Sequence, residues 1–204
     1  YSSAGDYIIN LTVEDDDGDN SSTSKVITIR PLIPSVHNLN TSESFFTIQE
    51  AIDAPNTTAG NIIEADLGEY YENVKVNKNL TIRSKNGSAS TIVQAANPDE
   101  HVFEVTANSV NISGFTLKGA AGTDKAGIYL NGTSFCNISN DNCADNFYGI
   151  YLSKSANNNV TSNTFSNSTL WDIYINDSEG NNFTNNTLSS YPTIITFTYA
   201  GDIA

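Results

Sequence analysis

Few residues in this chain have types that could do covalent or acid–base chemistry, and their spacing scatters them. In the second half the acids Asp124, Asp145, Asp172 and Asp177 stand far apart and read as exposed. Hydrolysis or elimination on a polysaccharide needs a cluster, either paired carboxylates or acids holding calcium beside an Arg or Lys base. Between Asn108 and Leu188 there is no Arg, and only a corner that brought Asp145 and Asp172 together could supply a pair. His37 and His101 are isolated, Met is absent, and the two cysteines, Cys136 and Cys143, make no CxxC, so no metal site is expected. Both cysteines fall at inward positions flanking a corner and read as buried thiols. No catalytic residue and no cofactor are expected.

The types that do recur are aromatic and amide. Tyr129, Tyr151 and Tyr174 lie at the same place in Gly127-Ile-Tyr-Leu130, Gly149-Ile-Tyr-Leu152 and Asp172-Ile-Tyr-Ile175. If the aliphatic residues around them point inward, alternation points the tyrosines outward. On strands about 4.8 Å apart the rings form a ladder. Such a strip is a candidate platform for sugar rings, and equally a structural ladder that stacks on its own copies. Asn111, Asn137, Asn159 and Asn182 keep register in a second phrase, each one residue before an inward Ile, Ile, Val or Phe, and each opens an Asn-x-Ser/Thr sequon. They are candidate glycosylation sites on one face, or an unmodified amide ladder. Asp141, Asn163 and Asn186 fall at corners, where such side chains satisfy turn backbone groups.

These phrases need an element that repeats. Val110-Asn-Ile-Ser-Gly-Phe-Thr-Leu117 returns from Cys136, Asn158 and Asn181, in steps of roughly 26, 22 and 23 residues, a period that marks stacked coils. Each unit holds two or three short alternating strands separated by Asn, Gly and Ser. One unit cannot bury its apolar face alone, whereas stacked units can. The repeats resemble the right-handed parallel β-helix of pectate-lyase-like and NosD-like proteins over roughly residues 44–190. The expected fold is therefore all-β: a right-handed parallel β-helix with an N-terminal helical cap. The paired-Asp, Gly-His-Gly and Arg-x-Lys phrases of the pectin-hydrolase relatives are absent from the sequence.

Composition narrows the function classes. The 204 residues carry 23 acidic side chains against 9 Lys and Arg, a net charge of −14. That excludes nucleic-acid partners, which need clustered cations. No long apolar run is present to span a membrane. About fourteen sequons point to an exported glycoprotein.

In chain order, residues 1–30 read as a β-hairpin, with Tyr7, Ile9, Leu11 and Val13 alternating before a turn at Glu14–Asn20. The turn Asp15–Asp19 fails the EF-hand spacing, so a solvated turn is preferred to a calcium site. The hairpin resembles the last two strands of a PKD domain, an immunoglobulin-like sandwich; a lone hairpin is marginal, so the chain is expected to be a piece of a longer modular protein. Residues 31–43 read as a linker, and 44–204 as the β-helix. In the latter, Phe45, Ile48, Ala51 and Ile52 mark a cap helix over about 44–56, with Ser44 and Thr47 available as caps. Residues 80–106 read as a first, irregular coil. After Leu188 the pattern runs through Tyr191–Tyr199 and stops without a polar cap, so either the final strand leaves the helix or the chain is cut there. PKD-like and β-helix modules together resemble the cell-surface or S-layer proteins of methanogenic archaea. That resemblance implies an extracellular, non-catalytic structural or adhesive role, with cell-wall or extracellular glycans or neighbouring surface proteins as partners. The alternative is a carbohydrate-active enzyme, a lyase or glycosidase with a degenerate or missing site.

Overall fold

The structure is a computed structural model, and it describes residues 5–29, 35–189 and 196–198. The chain divides into two compact units, 1–33 and 34–204. In the first, Gly5–Glu14 and Asn20–Ile29 pair antiparallel from Gly5↔Ile29 to Glu14↔Asn20. Asp15 closes the turn: its Oδ1 accepts the backbone N–H of Asp17 at 3.2 Å and of Asp19 at 2.8 Å, and Gly18 takes φ +85°. This carboxylate is engaged by its own turn.

The second unit is a right-handed parallel β-helix of six coils, each contributing one strand to each of three sheets. The strands of the first sheet are Ile62–Ala65, Thr81–Ser84, Asn111–Ser113, Asn137–Ser139, Asn159–Thr161 and Asn182–Thr184. The second sheet runs from Gly68–Tyr71 to Thr187–Leu188, and the third from Val74–Val76 to Thr196–Thr198. Stacking in register turns the sequence repeat into columns of like side chains. Ile63, Ile82, Ile112, Ile138, Val160 and Phe183 form one inward column. In the third sheet Val74, Phe103, Ile128, Ile150 and Ile173 form another. All but Phe183 are buried, and each such side chain contributes roughly 1.5–3 kcal/mol. Gly149 shows why the strand phrase opens on glycine: a Cβ there would lie 2.5 Å from the Asp172 carbonyl oxygen and 2.7 Å from the Phe165 ring.

The N-terminal end is closed in two ways. The helix Ile48–Asp53 lays Ile48, Ala51 and Ile52 over the core, with Thr47 as N-cap. It is shorter than the expected 44–56 because Ser44 and Phe45 belong instead to a strand, Glu43–Phe45, which pairs antiparallel with Val36–Asn38. Val36–Asn38 in turn pairs antiparallel with the first parallel strand, Ile62–Ala65. Part of the expected linker is thus a sheet edge, and this pair satisfies backbone groups that the first coil would otherwise leave open. Glu72 is buried and accepts the N–H groups of Ile48 and Gln49, both at 2.9 Å, while Lys78 Nζ donates to the carbonyls of Ile52 and Thr57. Residues 62–76 already make a complete coil, so 80–106 is the second coil rather than the first. At the other end, Thr196–Thr198 pairs with Trp171–Asn176 as the third strand of the sixth coil; whatever follows lies outside the described residues.

Candidate functional site

The outer surface of the third sheet carries the aromatic ladder. Tyr129, Tyr151 and Tyr174 are in register, and each is half-buried. Their ring centroids are 4.7 Å apart at both steps, with planes inclined by 28° and 31°. That spacing equals the strand separation, so the ring faces are turned toward one another, and the Tyr129 hydroxyl bonds the Ser153 side chain. A sugar stacking face-on needs a free ring face, and the inner tyrosines offer none. Beside the ladder, Tyr148 stacks on Trp171 at 5.6 Å and meets Tyr174 at 4.8 Å. Tyr148 donates to Asp124 at 2.9 Å, and burial together with that carboxylate holds its phenol well above the ordinary range.

The ladder has a fourth ring that the sequence did not reveal. His101 stacks on Tyr129 at 4.3 Å and 25°. Its Nδ1 accepts the N–H of Ala126 at 3.0 Å, which leaves the ring proton on Nε2. Burial, reinforced by the charge of Lys125, lowers its pKa to about 4, so the ring is neutral at pH 7. His101 arrives by way of the loop before Phe103–Val105 and has no counterpart in the repeat phrase, so spacing could not place it.

Next to His101 is a recess of about 240 Å³ lined by Asn73, Val74, Lys75, Glu100, His101, Glu104 and Lys125. Lys75, Glu104 and Tyr129 are successive members of one outward row. Among the described residues, none of the four charged side chains makes an ion pair. Asn73 is committed to the fold, donating to the carbonyls of Asn97 and His101.

The acids singled out from sequence do not converge. Asp172 is buried rather than exposed, and it accepts from Ser168 Oγ at 2.7 Å and from the Ser189 N–H at 3.1 Å. It occupies the strand position that Gly127 and Gly149 hold in the coils before it, which turns its side chain to the inside. Asp145 stays exposed and accepts from Asn167. Asp124 is taken by Tyr148. Asp177 lies at an exposed corner with φ +47°.

The amides sort into two roles. On the first sheet Asn111, Asn137, Asn159 and Asn182 are in register. Asn159 donates to Asn137 at 2.8 Å and Asn182 to Asn159 at 2.9 Å, an amide ladder in which only Asn182 is exposed. At the corners Asp141, Asn163 and Asn186 accept the N–H of Phe115, Asp141 and Asn163 respectively, at 2.8–2.9 Å. Asn158 and Asn181 do the same for Cys136 and Asn158. Cys136 and Cys143 are buried free thiols, both raised by burial.

Comparison with known proteins adds a lineage. The chain is 46% identical over 112 residues to a "Cell surface glycoprotein" of Methanothermus fervidus; the match takes in 55% of this chain but only 18% of that protein. Among solved structures it is similar to a pectin methylesterase bound to a hexasaccharide, at 14% identity and a TM-score of 0.46, over 69% of this chain and 52% of that one. It is also similar to the pectin methylesterase PemA of Erwinia chrysanthemi, at 12% identity and a TM-score of 0.42, over the same shares. A family model described as "Periplasmic copper-binding protein (NosD)" matches residues 19–198.

The donors present do not fit copper. Among the described residues no three His, Cys, Asp or Glu side chains group as a metal site. His37 is held between Ser44 and Asp66, one nitrogen of His101 is taken, and both thiols are buried and protonated, whereas copper selects accessible thiolate, thioether or imidazole. By the match across most of its length, the chain nonetheless belongs to the NosD family.

Proposed function

We propose that this chain is a non-catalytic structural and adhesive segment of a cell-surface glycoprotein, a stiff solenoid that engages extracellular glycans or neighbouring surface proteins. The glycoprotein relative and the periplasmic family both support a location outside the cytoplasm; no described helix is long and apolar enough to cross a membrane. The observation that carries the reading is the in-register ladder system. Tyrosine and amide side chains that could have served chemistry instead bond their own copies along the stack. Glycan contact along Tyr129, Tyr151 and Tyr174 is then edge-on, through phenol hydroxyls. The test compares polysaccharide binding by the protein and by a Tyr129/Tyr151/Tyr174→Ala variant, with reducing-sugar release followed in parallel. Binding lost in the variant without sugar release supports the reading; release of sugar by the unmodified protein sinks it.

Glycans on the amide ladder belong to Asn182, whose side chain is exposed. Asn137 and Asn159 are half-buried between rungs, and adjacent rungs are too close for two sugars. Glycopeptide mass spectrometry of the native protein should find Asn182 occupied and Asn159 bare; the reverse pattern excludes this assignment. The hairpin of residues 5–29 is proposed as part of a PKD-like sandwich in a surface-layer protein, a reading supported by Leu11 and Val13, each 59% exposed and in need of cover. Hydrogen exchange over 5–29 should be slower in the protein isolated from its source than in this chain; equal rates argue against it.

One observation favours a second reading, a carbohydrate-active enzyme. Glu100 and Glu104 share the recess with His101. Under that reading Glu104→Gln abolishes a measurable sugar release while leaving the melting temperature unchanged.

A further inference from the structure

The aromatic stack has a definite first member. His101 covers the outer face of Tyr129, and no described ring covers His101 in turn. Beside it lies the recess, walled by Asn73–Lys75 of the preceding coil, by Glu100 and Glu104 of its own coil and by Lys125 of the next. The neutral His101 ring, stacked on Tyr129, thus lines a concave space. Around it stand two ammonium groups, Lys75 and Lys125, and two carboxylates, Glu100 and Glu104, none of them paired. Their charges balance within a molecule of net charge −14.

From this geometry we infer that the recess binds a single neutral pyranose ring, stacked on His101 as the next member of the ladder. The chemistry is complementary at each point. The C–H face of a pyranose packs on an aromatic face. Its hydroxyls both donate and accept, so they pair with carboxylates and ammonium groups together; with the wall's charges balanced, a charged sugar gains no net attraction over a neutral one. His101 Nε2–H supplies a further donor. At about 240 Å³ the space is below the roughly 300–1,000 Å³ of drug-sized sites and suits one ring, such as a chain terminus, rather than an oligosaccharide. The sugar is bound and not transformed; no bond is made or broken. The inference rests on the proposal that this face engages glycans, and it names where and which kind.

The experiment is NMR titration of the whole chain with methyl β-glucopyranoside, methyl α-mannopyranoside and methyl β-galactopyranoside, each up to roughly 50 mM, since one ring is expected to bind only at millimolar strength. The chain has two histidines, so the Cε1–H signals of His101 and His37 serve as probe and internal control. We expect a saturable shift at His101 with at least one glycoside, none at His37, and at least a tenfold loss of affinity in both Glu104→Ala and Lys75→Ala. Among the described residues those two side chains make no ion pair, so the variants should melt as the parent does. No saturable shift at His101 with any of the three overturns the inference. So does tighter binding of glucuronate than of the neutral glycosides. Polysaccharide binding that survives Glu104→Ala but is lost with the tyrosines overturns the recess and leaves the adhesive reading standing; no glycan binding by any probe overturns both.

Discussion

Asp141 occupies a place built for asparagine. In the coils above it, Asn163 and Asn186 accept a backbone N–H through Oδ1 and donate through Nδ2 to the carbonyls of Ile138 and Val160. Register puts the Ile112 carbonyl in the equivalent place for Asp141, and Oδ2 is buried without a partner. A proton on Oδ2 would restore the missing donor. Burial, only partly offset by the N–H groups of Phe115 and Gly114, raises this carboxyl from 3.8 to about 8. The folded state therefore binds more protons than the unfolded one between those values, and stability falls as pH rises through that window, by up to about 1.4 kcal/mol per pH unit. Asp141→Asn should stabilise the protein at pH 8 and flatten the dependence. Urea unfolding at pH 5 and pH 8 checks this; a variant less stable than the parent at pH 8 would falsify it. Tyr151 gives the second prediction at this scale. It stacks on both Tyr129 and Tyr174, and aromatic pairs contribute about 0.5–1.5 kcal/mol each beyond area burial. Tyr151→Ala should destabilise by at least about 1–3 kcal/mol in thermal or chemical unfolding, whereas Tyr151→Phe keeps the stack and should stay near the parent.

Among the elements, the cap is the one whose sequence signal and structure differ most. The apolar spacing of Ile48, Ala51 and Ile52 announced a helix and its buried face. It said nothing of Glu72, 24 positions on from Ile48, which satisfies the first N–H groups of that helix. Burial raises the Glu72 carboxyl, and the two backbone donors oppose that rise. Glu72→Ala leaves two orphaned donors, each costing about 1–3 kcal/mol. The loss should appear as faster hydrogen exchange across the helix and residues 62–76, with the fifth coil unaffected; uniform exchange would show that the end is not a separate local unit. The corners tell a complementary story. Gly114, Asn140, Ser162 and Asn185 all take positive φ at one corner, the left-handed conformation that glycine and asparagine adopt at least cost. The abundance of asparagine is thus explained twice, by corner backbone and by the amides that follow it inward.

At the scale of the whole molecule, the β-helix is a one-dimensional stack whose stability is a sum over neighbouring coils. The family description names copper, yet the described residues of this chain offer no accessible cluster of soft or imidazole donors. Adding a copper salt or a chelator should therefore leave its melting temperature unchanged, because only a ligand bound to the folded state shifts that equilibrium. A copper-dependent rise in melting temperature would show that donors outside the described residues complete a site.

The sequence by itself determined the coil period, the inward columns, the outward tyrosines and asparagines, and the buried cysteines. All of these follow from strand alternation and repeat spacing, which are local properties. Tertiary structure alone decided what the outward residues meet. Ring faces are turned toward each other because strand spacing equals stacking distance. Asp172 is interior because it stands where its sister coils carry glycine. Glu100, His101 and Lys125 meet the strand residues Lys75 and Glu104 because loops of different length from two coils close over one step of the stack. Such loops break the repeat, so no periodicity in the chain records where their side chains converge.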